Sequence, residues 1–413
     1  MLTPLAVHAD AAQTADSSQK RWIIGLKDPR PSRLQGWQRG SYGKTRSYQA
    51  SLELKRFGQR VAKDYQLELD HEWFIESLGV YCLVVNIGED VEDTLARLID
   101  DDRIEAVQKS QEFYLLNNPS APRKGENATL LNTDLATLPE HIDGSGSVVA
   151  LIDSAVDQNH PDLKSAVKTV RNHVELGKGS FDDGEAHGTA MAGVISARRD
   201  SKLGIAGVAP GASLRAYRGC WEEASGATRC STLTLARALD AVARSDADIL
   251  NLSLSGPADH LLNQLLVKII ELGKVVVTAH DPSRSTLDRF PMQTNGVLVV
   301  RALEQDDIAS RNKKSEQVMF TAPGAQLVVA PGNRYNYLQG HSIASAYTSG
   351  VLALYKQVYD LDTQSDPQPD SQSAKGSQSA KGSQPAKGSI DWSGALNSKH
   401  ASDLVYRIAN LYQ

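Results

Sequence analysis

The chain has 413 residues, 41% of them hydrophobic and 23% charged, with 44 basic and 49 acidic side chains and a formal net charge of −5. That length suits two or three domains of about 150 residues, and the composition excludes a wholly disordered, collagen-like or many-spanning chain. The apolar runs are strand-sized, short of the roughly 20 residues of a spanning helix, and the slight acidic excess gives no reason to expect nucleic acid as a partner.

The first residues, MLTPLAVHADAAQTADS, carry an apolar patch and Ala-x-Ala-like sites but no positive n-region. Residues 1–20 therefore read as a flexible tail or a signal remnant. RWIIGLKDP (21–29) predicts a strand closed by Pro29, and 49–69 has a mixed helical pattern. HEWFIESLGVYCLVVNI (71–87) holds two short strands parted near Ser77–Gly79, with Cys82 as a buried small side chain. A short acidic helix over 90–101 and a strand over 103–108 complete a βαββαβ order. This predicts a small α+β domain over 21–116. The sequence turns polar from 109 to 135, with Pro119 and Pro122, and a linker is expected over 117–139.

A different rhythm follows over 140–362. Strand-like segments at 147–153, 213–217, 247–254, 274–279 and 296–300 alternate with helical patterns at 187–198, 232–245, 259–272 and 342–358. Apolar strands separated by helix-length segments predict a mainly parallel α/β sheet, with functional residues near the strands' carboxyl ends. Cys220 and Cys230 bracket CWEEASGATRC. They are either a short disulfide-closed loop, which implies an oxidising compartment, or two unpaired thiols. Residues 363–389 repeat SQSAKG, SQSAKG and SQPAKG, the pattern of a low-complexity linker, and 390–413 predicts a closing helix.

Three polar residues stand out inside apolar or small-residue surroundings. Asp153 ends the strand VVALID, His187 lies in AHGTAMAG, and Ser342 lies in GHSIASAYTSG before an apolar helix. A serine nucleophile needs a base for its proton and a carboxylate to orient that base. A helix starting at Ser342 would also aim unpaired N–H groups at a developing oxyanion. Taken singly, the Asp reads equally as a turn residue, the His as a surface turn and the Ser as an N-cap.

Together, VVALIDSAVDQNHPDL, HGTAMAGVISA, GIAGVAPGASL, ILNLSLSGP, TAPGAQLVVAPG and GHSIASAYTSGVLAL resemble the subtilisin-like serine proteases over about 140–358. The resemblance implies a subtilisin-like fold and peptide hydrolysis through an acyl-enzyme, with no cofactor. It implies Asp153 as orienting acid, His187 as base and Ser342 as nucleophile. Ser253, Leu254 and Ser255 would bind the substrate backbone by β-augmentation. It also implies that 21–116 is an inhibitory propeptide acting within the molecule, in a secreted or periplasmic enzyme. The family pattern is broken in several places. His280 and Asp281 stand where the family has Gly and the Asn that donates to the oxyanion. If Asp281 faces the nucleophile it could serve there only when protonated, with a raised pKa; otherwise it is a turn residue facing away and the Ser342 N–H serves the oxyanion alone. His341, Ala346 and Ala190 replace the usual Thr, Pro and second His. Around the family's calcium loop, Arg198, Arg199 and Lys202 would repel the ion although Asp162 and Asp200 remain, so no metal site is expected. The alternative is a catalytically silent subtilisin-fold binding or regulatory protein.

Overall fold

The computed structural model describes residues 21–365 except 28–42, 89, 117–134, 136–137, 176–177, 179–180, 182–183, 199–203, 284–287 and 304–319, with backbone alone for 43–51 and 361–365. The expected amino-terminal tail, most of the 117–139 linker, the low-complexity linker beyond 365, the closing helix and Asp200 lie outside the described residues. Two compact units divide the chain, one of residues 1–75 with 79–111, the other of 76–78 with 112–413.

In the first unit, β1 (Arg21–Leu26), α1 (Gly43–Asp64), β2 (Glu68–Ile75), β3 (Val80–Asn86), α2 (Val91–Ile99) and β4 (Ile104–Lys109) follow in the βαββαβ order. The sheet runs β2-β3-β1-β4 with antiparallel pairs throughout. Leu54, Phe57 and Val61 recur at helical spacing along α1 and bury against Ile24, Leu83 and Val85 of the sheet. Glu92 and Asp93 in the first turn of α2 and Arg97 in its last match the helix dipole. The helix predicted over 49–69 ends earlier: Gln66 takes a left-handed φ of 54° and turns the chain into β2.

The second unit opens with β5 (Glu112–Leu115) and continues through β6 (Val148–Asp153), β7 (Val167–Asn172), α3 (Ala186–Ser196), β8 (Ser213–Arg218), β9 (Cys220–Glu222), β10 (Thr228–Ser231) and α4 (Thr232–Ala243). Then come β11 (Ile249–Leu252), β12 (Leu254–Ser255), α5 (His260–Glu271), β13 (Val275–Ala279), β14 (Val297–Ala302) and β15 (Phe320–Ala322). The hairpin β16 (Ala325–Ala330) and β17 (Arg334–Gln339) leads into α6 (His341–Ser365). Among the described residues, β15-β14-β13-β11-β6-β8-β7 form a seven-stranded sheet whose pairs are all parallel. This is the predicted α/β class beside a smaller α+β unit. The central strands are buried along their whole length, as parallel strands under helices must be, and α3 and α6 share one core with them.

Small residues let those helices press close. A Cβ on Gly188 of α3 would collide with the Ser154 carbonyl, and one on Gly193 with the Val329 side chain. Ser231 and Thr234 form a reciprocal capping box on α4, and Asp259 caps α5 through the Leu262 N–H. No helix among the described residues is long and apolar enough to cross a membrane.

Cys220 and Cys230 are joined as a disulfide across the paired strands β9 and β10, and Cys82 lies buried outside that bridge. Closing a loop of this length should stabilise the fold by about 3 kcal/mol, chiefly by restricting the unfolded chain. The double variant Cys220→Ala, Cys230→Ala should therefore unfold about 5–10 °C lower than the parent by circular dichroism. An unchanged Tm would show that the bridge closes a loop already fixed by other contacts.

Candidate active site

Asp153 ends β6, and the second residue of α3 and the second residue of α6 are His187 and Ser342. Each element therefore delivers its polar residue where the strands' carboxyl ends meet the helix starts. One Asp153 carboxylate oxygen accepts from His187 Nδ1 at 2.7 Å and from the Ser154 N–H at 2.7 Å. Both side chains are buried, at 1% exposure or less. With Nδ1 donating to the carboxylate, the neutral ring keeps its lone pair on Nε2, which is buried and has no protein partner. Burial opposes a charge on this ring, but Asp153 and then Glu222 outweigh it, so the His187 pKa lies above the ordinary histidine value.

Glu222 was read only as part of a polar loop. Its carboxylate accepts from the backbone N–H of His187 at 2.8 Å and from Ser154 Oγ at 3.4 Å. The Glu222 N–H in turn donates to Glu185, which is held by Arg218 at 2.7 Å with both side chains buried. The disulfide hairpin thus carries an acid onto the first turn of the helix that presents His187, where the helix dipole favours one.

The cleft is filled by the chain's own β5. This strand adds antiparallel to β12 on one side, with Tyr114 opposite Ser255 and Leu115 opposite Leu254, and to β10 on the other, with Phe113 opposite Cys230. The Leu116 N–H donates to the Ser253 carbonyl at 3.0 Å. Ser342 Oγ donates to the Leu116 carbonyl oxygen at 2.6 Å. Phe113 is buried edge-on to Phe290, with ring centroids 5.5 Å apart, and a Cβ on Gly256 would collide with it. Ser253, Leu254 and Ser255 therefore all face β5 through their backbone. A cavity of about 100 Å³ lies beside Leu116, lined by His187, Ala190, Met191, Leu338 and Ile343 among others.

Asp281 corrects the sequence reading. Burial would raise its pKa, but bonds from Ser283, Ser255 and Tyr114 outweigh this and hold it at about 2. One oxygen accepts from Ser255 Oγ and Tyr114 Oη, each at 2.7 Å, and the other from the Ser283 N–H and Oγ at 3.0 and 2.6 Å. The carboxylate is ionised and accepts only, so it has no proton to give an oxyanion. His341 is turned away from the chemistry, its Nδ1 accepting from the Ala302 N–H at 2.8 Å, with burial holding its pKa at about 4. One Asp162 oxygen accepts from the Ile205 N–H at 3.1 Å and from Tyr335 Oη at 2.8 Å.

The model of the Peptidase_S8 subtilase family matches residues 144–375. The chain belongs to the subtilase family. Its described sheet and helices carry the subtilisin-like fold. It is 34% identical over 216 residues to a thermophilic serine proteinase of Bacillus sp. (strain AK1), matching 51% of this chain and 52% of that one. The chain thus spans about half the length of that relative. It is 30% identical over 234 residues to an intracellular serine protease of Paenibacillus polymyxa, covering 54% of this subtilase and 70% of the relative. Among solved structures, fervidolysin from Fervidobacterium pennivorans superposes with a TM-score of 0.60 at 21% identity, over 83% of this chain and 55% of that one. That likeness extends to the fold.

Two measurements follow from the electrostatics. A negative charge near His187 favours its protonated ring, so Glu222→Gln should lower the His187 pKa. The neutral base then forms at lower pH, and the acid limb of kcat/KM against a peptide should move down in pH; a limb that stays in place would separate Glu222 from the base. Asp281 is ionised throughout the neutral range, so the rate ratio of Asp281→Asn to the parent should be flat from pH 6 to pH 8. A ratio rising with pH would restore a titrating proton to Asp281.

Proposed function

We propose that this subtilase hydrolyses peptide bonds through an acyl-enzyme on Ser342, and that it is made as a latent precursor whose own residues 112–116 occupy the substrate cleft. The supporting observation is the 2.6 Å bond from Ser342 Oγ to the Leu116 carbonyl oxygen, at the end of a strand bonded on both sides as a substrate would be. Asp153 orients His187, whose free Nε2 takes the Ser342 proton as Oγ forms a bond to the carbonyl carbon. The carbonyl π electrons move onto oxygen. On collapse, the C–N bond breaks and the amine leaves with the proton from His187. Water, deprotonated by the same ring, then releases the acid.

The developing oxyanion meets the start of α6, where the Ser342 N–H has no partner within the helix. Asp281 adds no second donor. Losing one such donor costs about a factor of 10²–10³ in rate in this type of reaction. The site is therefore suited to slow, selective cleavage more than to bulk digestion. Residues 21–116, which end in the segment that occupies the cleft, are read as the inhibitory propeptide domain, followed by 117–139 as the linker. The Cys220–Cys230 disulfide supports maturation in an oxidising compartment, hence a secreted or periplasmic enzyme.

A silent subtilisin-fold protein is the second reading, and the ionised Asp281 is what favours it. Maturation separates the two. The parent chain should cleave itself between Leu116 and Asn117, giving one new amino terminus by mass spectrometry, while Ser342→Ala should stay intact. A parent that never cleaves and whose Ser342 is not labelled by an organophosphonate would leave the silent reading; self-cleavage in Ser342→Ala would remove the nucleophile from Ser342.

A further inference from the structure

We propose that Asp281, Ser255 and Arg289 form a specificity subsite that reads a tyrosine two residues before the one whose carbonyl is attacked. This deepens the peptidase reading and rests on it for the direction of the peptide. Side chains alternate along an extended strand, so Tyr114 shares a face with Leu116 while Phe113 and Leu115 point the other way. Tyr114 Oη donates to Asp281 Oδ2 at 2.7 Å. It also accepts from an Arg289 guanidinium nitrogen at 3.5 Å, so the hydroxyl has both a donor and an acceptor partner. The Arg289 guanidinium lies 5.9 Å from the centre of the Tyr114 ring, within range of a cation–π contact.

The subsite residues also bond to one another. With the tail in place Asp281 and Ser255 are buried, at 1% and 0% exposure, and they are bonded to each other at 2.7 Å. Arg289 Nε donates to Ser255 Oγ at 3.3 Å and lies 3.6 Å from Asp281 Oδ2. Two further bonds from Ser283 fix the other carboxylate oxygen. Oδ2 is thereby aimed along the β12 edge at the residue paired with Ser255, whichever peptide supplies it. A phenylalanine there would leave the carboxylate one donor short and Arg289 without the oxygen it meets.

Hydrogen bonds to a charged group are among the stronger ones, so a phenol should be preferred to a phenyl ring by about tenfold. The test compares acetyl-Phe-Tyr-Leu-Leu-p-nitroanilide with acetyl-Phe-Phe-Leu-Leu-p-nitroanilide on the full chain. The expected kcat/KM ratio is about ten for the parent and about one for Asp281→Ala. Because the ratio is taken within one enzyme, any overall loss of rate cancels. A parent ratio near one overturns the subsite, even if the variant fails to fold; so does an undiminished ratio in a folded Asp281→Ala. A second arm needs no catalysis. In the intact Ser342→Ala chain, Tyr114→Phe should speed amide exchange at Leu115 and Leu116 about tenfold, and an unchanged rate overturns the contact. Faster exchange with neither peptide cleaved would sink the peptidase reading and leave the subsite standing.

Discussion

The close approach of α3 and α6 to the parallel sheet is the constraint on which the site depends. Gly188 leaves no room for a side chain against the Ser154 carbonyl, and Gly350 in α6 leaves none against Val208. A methyl group at either place would push a helix outward, and with it His187 or Ser342. Asn251 adds a polar lock. Its side-chain oxygen accepts from Ser345 and Ser349 of α6 at 2.9 and 3.0 Å, and its amide donates to Ser253 Oγ at 3.1 Å. One buried amide thus ties the helix that carries Ser342 to the segment that leads into β12. Such a hydrogen-bonded buried group specifies geometry more than it adds stability.

Electrostatics then refine what packing positions. The Arg218–Glu185 pair is buried, with bidentate contacts at 3.1 and 2.7 Å, and removing one partner of such a pair costs about 3–5 kcal/mol. Glu185 also receives the Ala155 N–H at 2.7 Å, two residues beyond Asp153. The same carboxylate therefore steadies the loop after Asp153 and the start of the helix that carries His187. Glu222 extends this set from the disulfide hairpin, so a covalent bond far from the reacting atoms bears on the charge at His187.

Much of this was legible because burial leaves a strong imprint on sequence. The central strands β6, β11 and β13 are apolar on both faces, and the small residues of AHGTAMAG and GHSIASAYTSG mark close helix packing around polar residues. Other strands have weaker imprints. β7 is an edge strand with an exposed, charged sequence, VKTVRN. β5 is only four residues, EFYL, and its strand character comes from partners on both sides that are distant in sequence. Glu222 lay in a loop whose polar composition is equally that of a solvated hairpin. Asp281 was misjudged for a related reason. Burial alone predicts a raised pKa, and the three hydroxyls that reverse it come from three separate segments, at Ser255, Ser283 and Tyr114.

That reversal bears on how catalysis and recognition share one position. A donor at residue 281 would stabilise charge that exists only in the transition state, and so would raise kcat. An ionised acceptor cannot do this. In the proposed subsite it would instead contribute to binding in the ground state and the transition state alike, discriminating between peptides without accelerating the chemical step. The tail benefits from the same arithmetic. Tyr114 satisfies the carboxylate, Phe113 fills the space over Gly256, and the Leu116 carbonyl accepts from Ser342, so a segment matched to these residues is already attached to them. A linked segment competes at an effective concentration in the millimolar range for a short flexible tether, well above that of most free substrates. On the proposed reading, weak oxyanion stabilisation and a tightly matched internal peptide would act in the same direction: both would lengthen the time the precursor stays closed, and both would reserve activity for peptides that can make the bonds Tyr114 makes.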